Sequence, residues 1–203
     1  MFRLVTNPDR FFAERVDDPQ AAAPTLAVTG AAITSLFPPA VVFSKLLAGA
    51  SAGTFVFVGT GVAIAMISGL FAMFALWLFV SSVCHAVARR LDGSGGFRTV
   101  LLLCGWGFLP TAVGGLVSAA FLLAFVDPGA PSESVSLRVI SRQIQQSAGV
   151  RAAGLLGVLF TVWSGVLWTF ALRQAHDLSL VRAAGAATPV TVLLIGVSVG
   201  SLV

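Results

Sequence analysis

The sequence has very few ionisable side chains for its length. Charged residues make up 10% of the 203 residues, apolar residues make up 57%, and the mean hydropathy is +0.97. A soluble domain normally carries about 25% charged residues. Positions 46–84 form a stretch of 39 residues without any Asp, Glu, His, Lys or Arg. These proportions exclude a water-soluble globule and indicate an integral membrane protein.

Chemically reactive side chains are also scarce. Two cysteines are too few for a disulfide scaffold, and we expect Cys84 and Cys104 to be free thiols near the same membrane face. His85 and His176 fall at membrane edges in different predicted loops, with no acidic or cysteine cluster at metal-ligand spacing. Ion-coupled transport normally needs an ionisable group inside the membrane. We therefore expect no enzyme, no cofactor, no metal site and no nucleic-acid partner.

Five apolar runs of 20 residues or more divide the chain. They cover approximately 24–47, 54–84, 99–126, 152–172 and 184–203. Runs of this length must be helices in lipid, because only internal hydrogen bonds can satisfy the backbone there. The sequence predicts an all-α, polytopic transmembrane helical bundle of five spans in residues 24–203, preceded by a short cytoplasmic tail, residues 1–23.

The arginines are distributed unevenly between these runs. If the N-terminus is cytoplasmic, the inner gaps hold eight basic residues: Arg3, Arg10, Arg15, Arg89, Arg90, Arg98, Arg173 and Arg182. The outer gaps hold four: Lys45, Arg138, Arg142 and Arg151. Basic residues concentrate on the cytoplasmic side of membrane proteins. The imbalance predicts a multi-pass protein of the cell membrane with its N-terminus in and its C-terminus out.

Prolines and run lengths modify this regular pattern. Pro38, Pro39 and Pro110 lack an N–H inside predicted helices, so we expect helix kinks there. The second run is about 46 Å long, against a hydrocarbon core of about 30 Å, so it tilts or projects beyond the core. Alternatively, a re-entrant segment at 49–61 takes up the excess. The 127–151 gap has apolar residues at helical spacing, which predicts an amphipathic interfacial helix.

One segment, residues 85–110, combines several distinctive features. It reads HAVARRLDGSGGFRTVLLLCGWGFLP. Its glycines permit a tight reversal of the chain, and its arginines anchor both helix ends at the headgroups. The order of a His ending the second span, a Gly-Gly pair with a following aromatic, and a Pro in the third span resembles the Yip family. The NPDRFF sequence at residues 7–12 is similar to the lead-in of prokaryotic Yip proteins.

This resemblance implies a non-enzymatic membrane protein. Eukaryotic Yip proteins bind Rab-type small GTPases and take part in vesicle formation and membrane shaping. The implied function is a scaffold for those processes that binds a small GTPase or another cytosolic protein. The tail here is far shorter than the cytosolic domain of the eukaryotic proteins, so their tail-borne partner sites are not carried over.

Two other classes of function stay open at this point. A passive channel or small-molecule transporter would need a polar stripe, for which the second span offers Thr60, Ser68, Ser81 and Ser82. A structural subunit of a larger homo- or hetero-oligomeric complex would have a similar composition. The sequence does not separate these classes by itself.

A cytoplasmic interaction surface is predicted on the 85–97 segment together with the tail. A basic rim with one acid and an aromatic on a glycine turn suits anionic lipid headgroups or the acidic face of a cytosolic protein. The alternative is that the arginines only set the topology and the glycines only form the turn. The predicted surface comprises Pro8, Phe11, Phe12, His85, Arg89, Arg90, Asp92, Gly95, Gly96 and Phe97.

The orientation can be tested with single cysteine labels. We expect a label in the Asp92 loop and a label in the Glu133 loop to react from opposite sides of the membrane, because one span of the predicted bundle separates them. A membrane-impermeant thiol reagent applied to intact and to lysed cells measures this. Reaction of both labels from one side would contradict the five-span order.

Overall fold

The computed structural model describes residues 2–47, 52–125 and 148–200, and all regular structure in these ranges is helical. Two short helices, α1 (Phe2–Thr6) and α2 (Pro8–Ala13), precede the bundle. The bundle consists of α3 (Ala22–Thr34), α4 (Phe37–Leu47), α5 (Ala52–Arg90), α6 (Phe97–Gly105), a 3-10 turn at Trp106–Phe108, α7 (Leu109–Phe125), α8 (Ala148–His176) and α9 (Leu180–Gly200).

Five helical segments in the described residues are long and apolar enough to cross a membrane. They are Ala22–Ser44, Gly59–Arg90, Phe97–Phe125, Ala148–His176 and Leu180–Gly200. This confirms the predicted five-span helical bundle. The helices of the second and fourth spans, α5 and α8, continue past the predicted ends at 84 and 172, to Arg90 and His176. The uncharged runs end at the first ionisable residue. The helices continue further, because an arginine near a helix end can extend its guanidinium to the headgroups.

The second span is one continuous helix. α5 has 39 residues, which is about 58 Å at 1.5 Å per residue. It therefore projects beyond a hydrocarbon core of about 30 Å. Residues 52–61 belong to this helix, so the re-entrant alternative is wrong for the described part of 49–61. The interfacial helix predicted for 127–151 lies outside the described residues, except for its last four positions, which begin α8.

Pro38, Pro39 and Pro110 lie beside the points where the first and third spans are interrupted. The first span is divided between α3, which ends at Thr34, and α4, which begins at Phe37. Pro38 and Pro39 occupy the first turn of α4, where a missing N–H breaks no helical hydrogen bond. In the third span, the 3-10 turn immediately precedes Pro110, and the Leu109 N–H donates to the Trp106 carbonyl that Pro110 leaves without its helical donor.

Two indole groups from other helices donate hydrogen bonds to backbone carbonyls of the third span. The Trp168 Nε1 on α8 donates to the Cys104 carbonyl at 3.1 Å, and the Trp77 Nε1 on α5 donates to the Leu101 carbonyl at 2.8 Å. Since each indole comes from another helix, these hydrogen bonds also hold α5 and α8 against the third span.

α8 is the central helix of the bundle. It packs against α9, α7, α6 and the tail helix α2. Its buried positions include Trp168, whose ring lies directly on Gly107 of the 3-10 turn. A Cβ at Gly107 would overlap the Trp168 indole nitrogen. The absence of a side chain at Gly107 therefore sets how closely α8 approaches the third span.

We expect Gly107→Ala to lower the stability of the purified protein in detergent. The added methyl group displaces Trp168 and weakens its hydrogen bond to Cys104, and overpacking of this kind costs about 1–3 kcal/mol. Gly157→Ala on α8 is the matched control, because no atom lies within 4 Å of a Cβ built there. Thermal unfolding followed by tryptophan fluorescence measures both. Equal melting temperatures for the two variants would contradict the close packing.

Candidate functional site

The tail and two interhelical connections meet at one end of the bundle. Asp9 of α2 contacts Arg173 of α8, Ser94 of the 91–96 loop contacts His176, and Arg182 of α9 contacts Asp92. We call residues 2–20, 89–98 and 173–182 the polar end. It contains all eight arginines that the sequence assigned to one side. Which side of the membrane the polar end faces stays a prediction.

Two helices end at the polar end with the same backbone turn. After α5, Asp92 adopts a positive φ of 67°, and the Gly93 N–H donates back to the Ala88 carbonyl at 2.9 Å. After α8, Asp177 has a φ of 53°, and the Leu178 N–H donates to the Arg173 carbonyl at 3.1 Å. Aspartate tolerates this left-handed conformation better than most residues. Each turn satisfies carbonyls that the helix end leaves free.

A histidine pair joins these two turns. His85 Nδ1 lies 3.2 Å from His176 Nε2, and the Gly95 N–H donates to His176 Nδ1 at 3.0 Å. The His176 carbonyl accepts the Ser94 N–H at 3.2 Å. His176 is 1% exposed. His176, the last residue of α8, therefore binds the N–H groups of Ser94 and Gly95 in the 91–96 loop and the side chain of His85 on α5.

These contacts determine the protonation of both rings. Because His176 Nδ1 accepts a hydrogen bond from Gly95, the proton of His176 must be on Nε2. His176 Nε2 then donates to His85 Nδ1, so His85 carries its own proton on Nε2. Both imidazoles are neutral in this arrangement, since a second proton on either ring would remove an acceptor.

The Gly-Gly pair in the loop is not symmetrical. A Cβ at Gly95 would overlap the Ala175 carbonyl oxygen of α8, whereas nothing lies within 4 Å of a Cβ at Gly96. Gly95 is therefore required for the close approach of the loop to α8. Gly96 precedes α6 in an extended conformation that other residues also adopt.

The tail is part of the folded bundle. Asn7 caps α2 by accepting the Arg10 N–H at 3.2 Å, and Pro8 takes the first helical position, as is common in helices. Phe11 and Phe12 are 2% and 0% exposed, and Phe11 contacts Trp106 edge to face at 5.0 Å between ring centroids. These two phenylalanines anchor the tail and are not presented to a partner, which corrects their predicted place on the interaction surface.

A carboxylate completes the attachment of the tail. Asp9 accepts hydrogen bonds from the Arg173 guanidinium at 2.9 Å and from the Gln174 amide at 2.7 Å. Two charge-assisted contacts to one carboxylate favour a single orientation of α2. The sequence analysis did not identify this contact, because Asp9 and Arg173 lie at opposite ends of the chain.

The structure divides the predicted surface residues into two groups. His85 is half-buried in the histidine pair and stacks edge to face with Phe97, with ring centroids 5.5 Å apart. Arg89, Arg90, Asp92 and Phe97 are exposed on the rim of the loop. His176 was missed, because the sequence analysis placed it in a loop with Asp177, whereas it is the buried last residue of α8.

The described residues contain no group of three or more His, Cys, Asp or Glu side chains placed to hold a metal ion. Cys84 and Cys104 are both buried free thiols. Most of the arginines at the polar end are paired with its carboxylates, and the two histidines bind each other, so this arrangement is that of a structural network. Its exposed rim is the candidate site.

Five apolar spans closed at one end by hydrogen-bonded turns define a multi-pass helical membrane protein. Residues 2–201 match the Yip1 domain, so the chain belongs to the Yip family. An uncharacterized protein from Methanocaldococcus jannaschii is 34% identical over 55 residues, which cover 27% of this chain and 39% of that relative. This match thus spans well under two thirds of the relative's length. No solved structure matches the chain.

We expect Gly95→Ala to destabilise the polar end, and Gly96→Ala to leave it unchanged. The methyl group added at position 95 pushes the loop away from Ala175, which also breaks the hydrogen bond to His176. Overpacking at such a contact costs about 1–3 kcal/mol. Thermal unfolding measures the stability, and imidazole ¹⁵N NMR reports whether both histidines keep the Nε2–H form. If the two variants behave alike, the asymmetry of the pair is refuted.

Proposed function

We propose that this Yip-family protein is a non-enzymatic scaffold of the cell membrane, with the polar end in the cytoplasm. In this proposal the rim of the 91–96 loop binds an acidic surface of a cytosolic protein, of the small-GTPase type, during membrane shaping or vesicle formation. The cytoplasmic placement rests on the eight arginines gathered at this end. Family membership supports the class of partner, and the unpaired rim charges support the location.

The proposal rests on which arginines lack internal partners. Five of the eight pair with carboxylates of the polar end: Arg3, Arg10 and Arg15 with Glu14, Arg173 with Asp9, and Arg182 with Asp92. Arg89 donates to the Gly93 carbonyl at 3.2 Å. Within the described part of the chain, Arg90 and Arg98 form no ion pair and are exposed. They lie on either side of the loop.

An aromatic ring accompanies these two arginines. Phe97 is 36% exposed and rests against His85, which the histidine pair holds in place. Exposed arginine and aromatic side chains are the types that contribute most to protein interfaces. The guanidinium fork binds a carboxylate with two parallel hydrogen bonds. A rigid surface of this kind suits a partner with exposed Asp or Glu residues.

Side-chain directions on the second span weigh against a pore within a single chain. Thr60, Ser68 and Ser82 are on exposed faces of α5, and the hydroxyls of Thr60 and Ser82 donate to carbonyls of their own helix. Only Ser81 of the four predicted stripe residues is buried. A scaffold therefore accounts for the arrangement better than a channel or transporter does.

Replacing Arg90 and Arg98 together with Lys tests the binding surface. The charge, and hence insertion and topology, should stay unchanged, whereas the planar fork is lost. We expect capture of purified small GTPases, in GDP-bound and GTP-bound forms, to fall about tenfold, as for the loss of one charge-assisted contact. Phe97→Ala should weaken capture as well.

Arg182→Lys is the matched control, because Arg182 is already paired with Asp92 inside the chain. It should insert and capture the partner as the wild type does. If the double Lys variant inserts normally and retains full capture, the rim arginines only anchor the helices at the headgroups. The binding surface would then be elsewhere.

A further inference from the structure

A cavity of about 440 Å³ lies between the tail and the third span. Its walls come from the segment that joins α2 to α3, from the first turn of α3, and from α6 with the 3-10 turn. Cavities that bind small ligands typically have volumes of about 300–1,000 Å³. The rim of the 91–96 loop does not contribute to it. The cavity is therefore distinct from the surface proposed for a protein partner.

One wall of the cavity carries charges of both signs. The Arg15 guanidinium donates to the Phe11 carbonyl at 2.8 Å and lies 3.7 Å from the centre of the Phe11 ring. These contacts hold the group in place and use few of its five N–H donors. Asp18 also lines the cavity, and its carboxylate has no ion pair in the described residues. Glu14 is already neutralised by Arg3 and Arg10, at 2.7 and 3.1 Å, and it lies 3.9 Å from the Arg15 guanidinium.

The opposite wall is apolar and lies deeper along the third span. Leu102, Leu103 and Trp106 are buried residues that line it. At 1.5 Å per residue, Leu102 lies about 8 Å and Trp106 about 13 Å along the helix axis from Phe97, at the start of α6. Arg98, at the start of α6, marks the headgroup level. The cavity thus extends from the headgroup region to the edge of the hydrocarbon.

We propose that this cavity binds the headgroup of one phospholipid that carries a primary amine. Arg15 binds the phosphate through its free N–H groups, and Asp18 accepts hydrogen bonds from the ammonium group. The glycerol and the first acyl carbons contact Leu102 and Trp106. The ligand is a zwitterion, because a purely anionic headgroup would bring no cation to the Asp18 carboxylate.

The primary amine follows from the same wall. An ammonium group has N–H bonds to donate to the Asp18 carboxylate, which a trimethylammonium group lacks. Phosphatidylethanolamine has this chemistry, and so does the water-soluble compound glycerophosphoethanolamine. The apolar wall favours the lipid, since the soluble compound has no acyl carbons to bury there.

The test compares lipids with identical acyl chains on the full-length protein. Native mass spectrometry from detergent, with titrated phosphatidylethanolamine, phosphatidylcholine or phosphatidylglycerol, measures the occupancy of one bound lipid. We expect phosphatidylethanolamine to bind about tenfold more tightly than the other two, as for one charge-assisted hydrogen bond. Glycerophosphoethanolamine should compete only weakly.

Two substitutions locate the site. Asp18→Asn should remove the preference for phosphatidylethanolamine over phosphatidylcholine, and Arg15→Gln should weaken binding of both. Asp17→Asn is the matched control, because Asp17 is an exposed neighbour that loses the same charge without lining the cavity. It should bind as the wild type does.

Since Asp18 makes no ion pair in the described residues, its substitution should leave the fold intact, and a thermal unfolding curve checks this. Equal affinity for the three lipids, or equal behaviour of the Asp17 and Asp18 variants, overturns the proposal. Full displacement of the lipid by equimolar glycerophosphoethanolamine would also overturn it, because the ligand would then be the free headgroup compound.

Discussion

A backbone N–H or carbonyl group in lipid has no water to bind, so each needs a hydrogen-bond partner within the protein. This requirement determines the irregular parts of the bundle. The third span loses regular helical bonding just before Pro110. Trp168 and Trp77 supply donors to carbonyls in that region from two other helices. Hydrogen bonding and helix packing are therefore linked here, because the same two side chains bind backbone carbonyls of the third span and hold α5 and α8 against it.

At the polar end, helix-end turns and a histidine supply the partners of the backbone groups. α5 and α8 each end in a turn at an aspartate with a positive φ. Two N–H groups of the 91–96 loop donate to His176, the last residue of α8. The loop is therefore held in place by the buried His176, although its rim is exposed. A surface that is ordered before binding loses little entropy when a partner docks, which suits the rim for recognition.

Charge at this end is used mainly to hold the chain together. Glu14, Asp9 and Asp92 form ion pairs with five of the eight arginines, so most of the basic side chains at this end already have partners within the fold. Within the described residues, Arg90 and Arg98 beside the loop and Asp18 on the cavity wall form no ion pair. We propose that the two arginines bind a protein partner and that Asp18 binds a lipid headgroup.

Composition by itself determined the class of fold, the number of spans and the segments that share an end, because an uncharged run of about 20 residues has one stable form in lipid. Only the tertiary structure separated Gly95 from Gly96, buried the two phenylalanines and brought His176 to His85. Each depends on the rotation of α8 about its own axis. In helices that are apolar all round, lipid-facing and protein-facing residues look alike, so no periodicity in the sequence identifies that rotation.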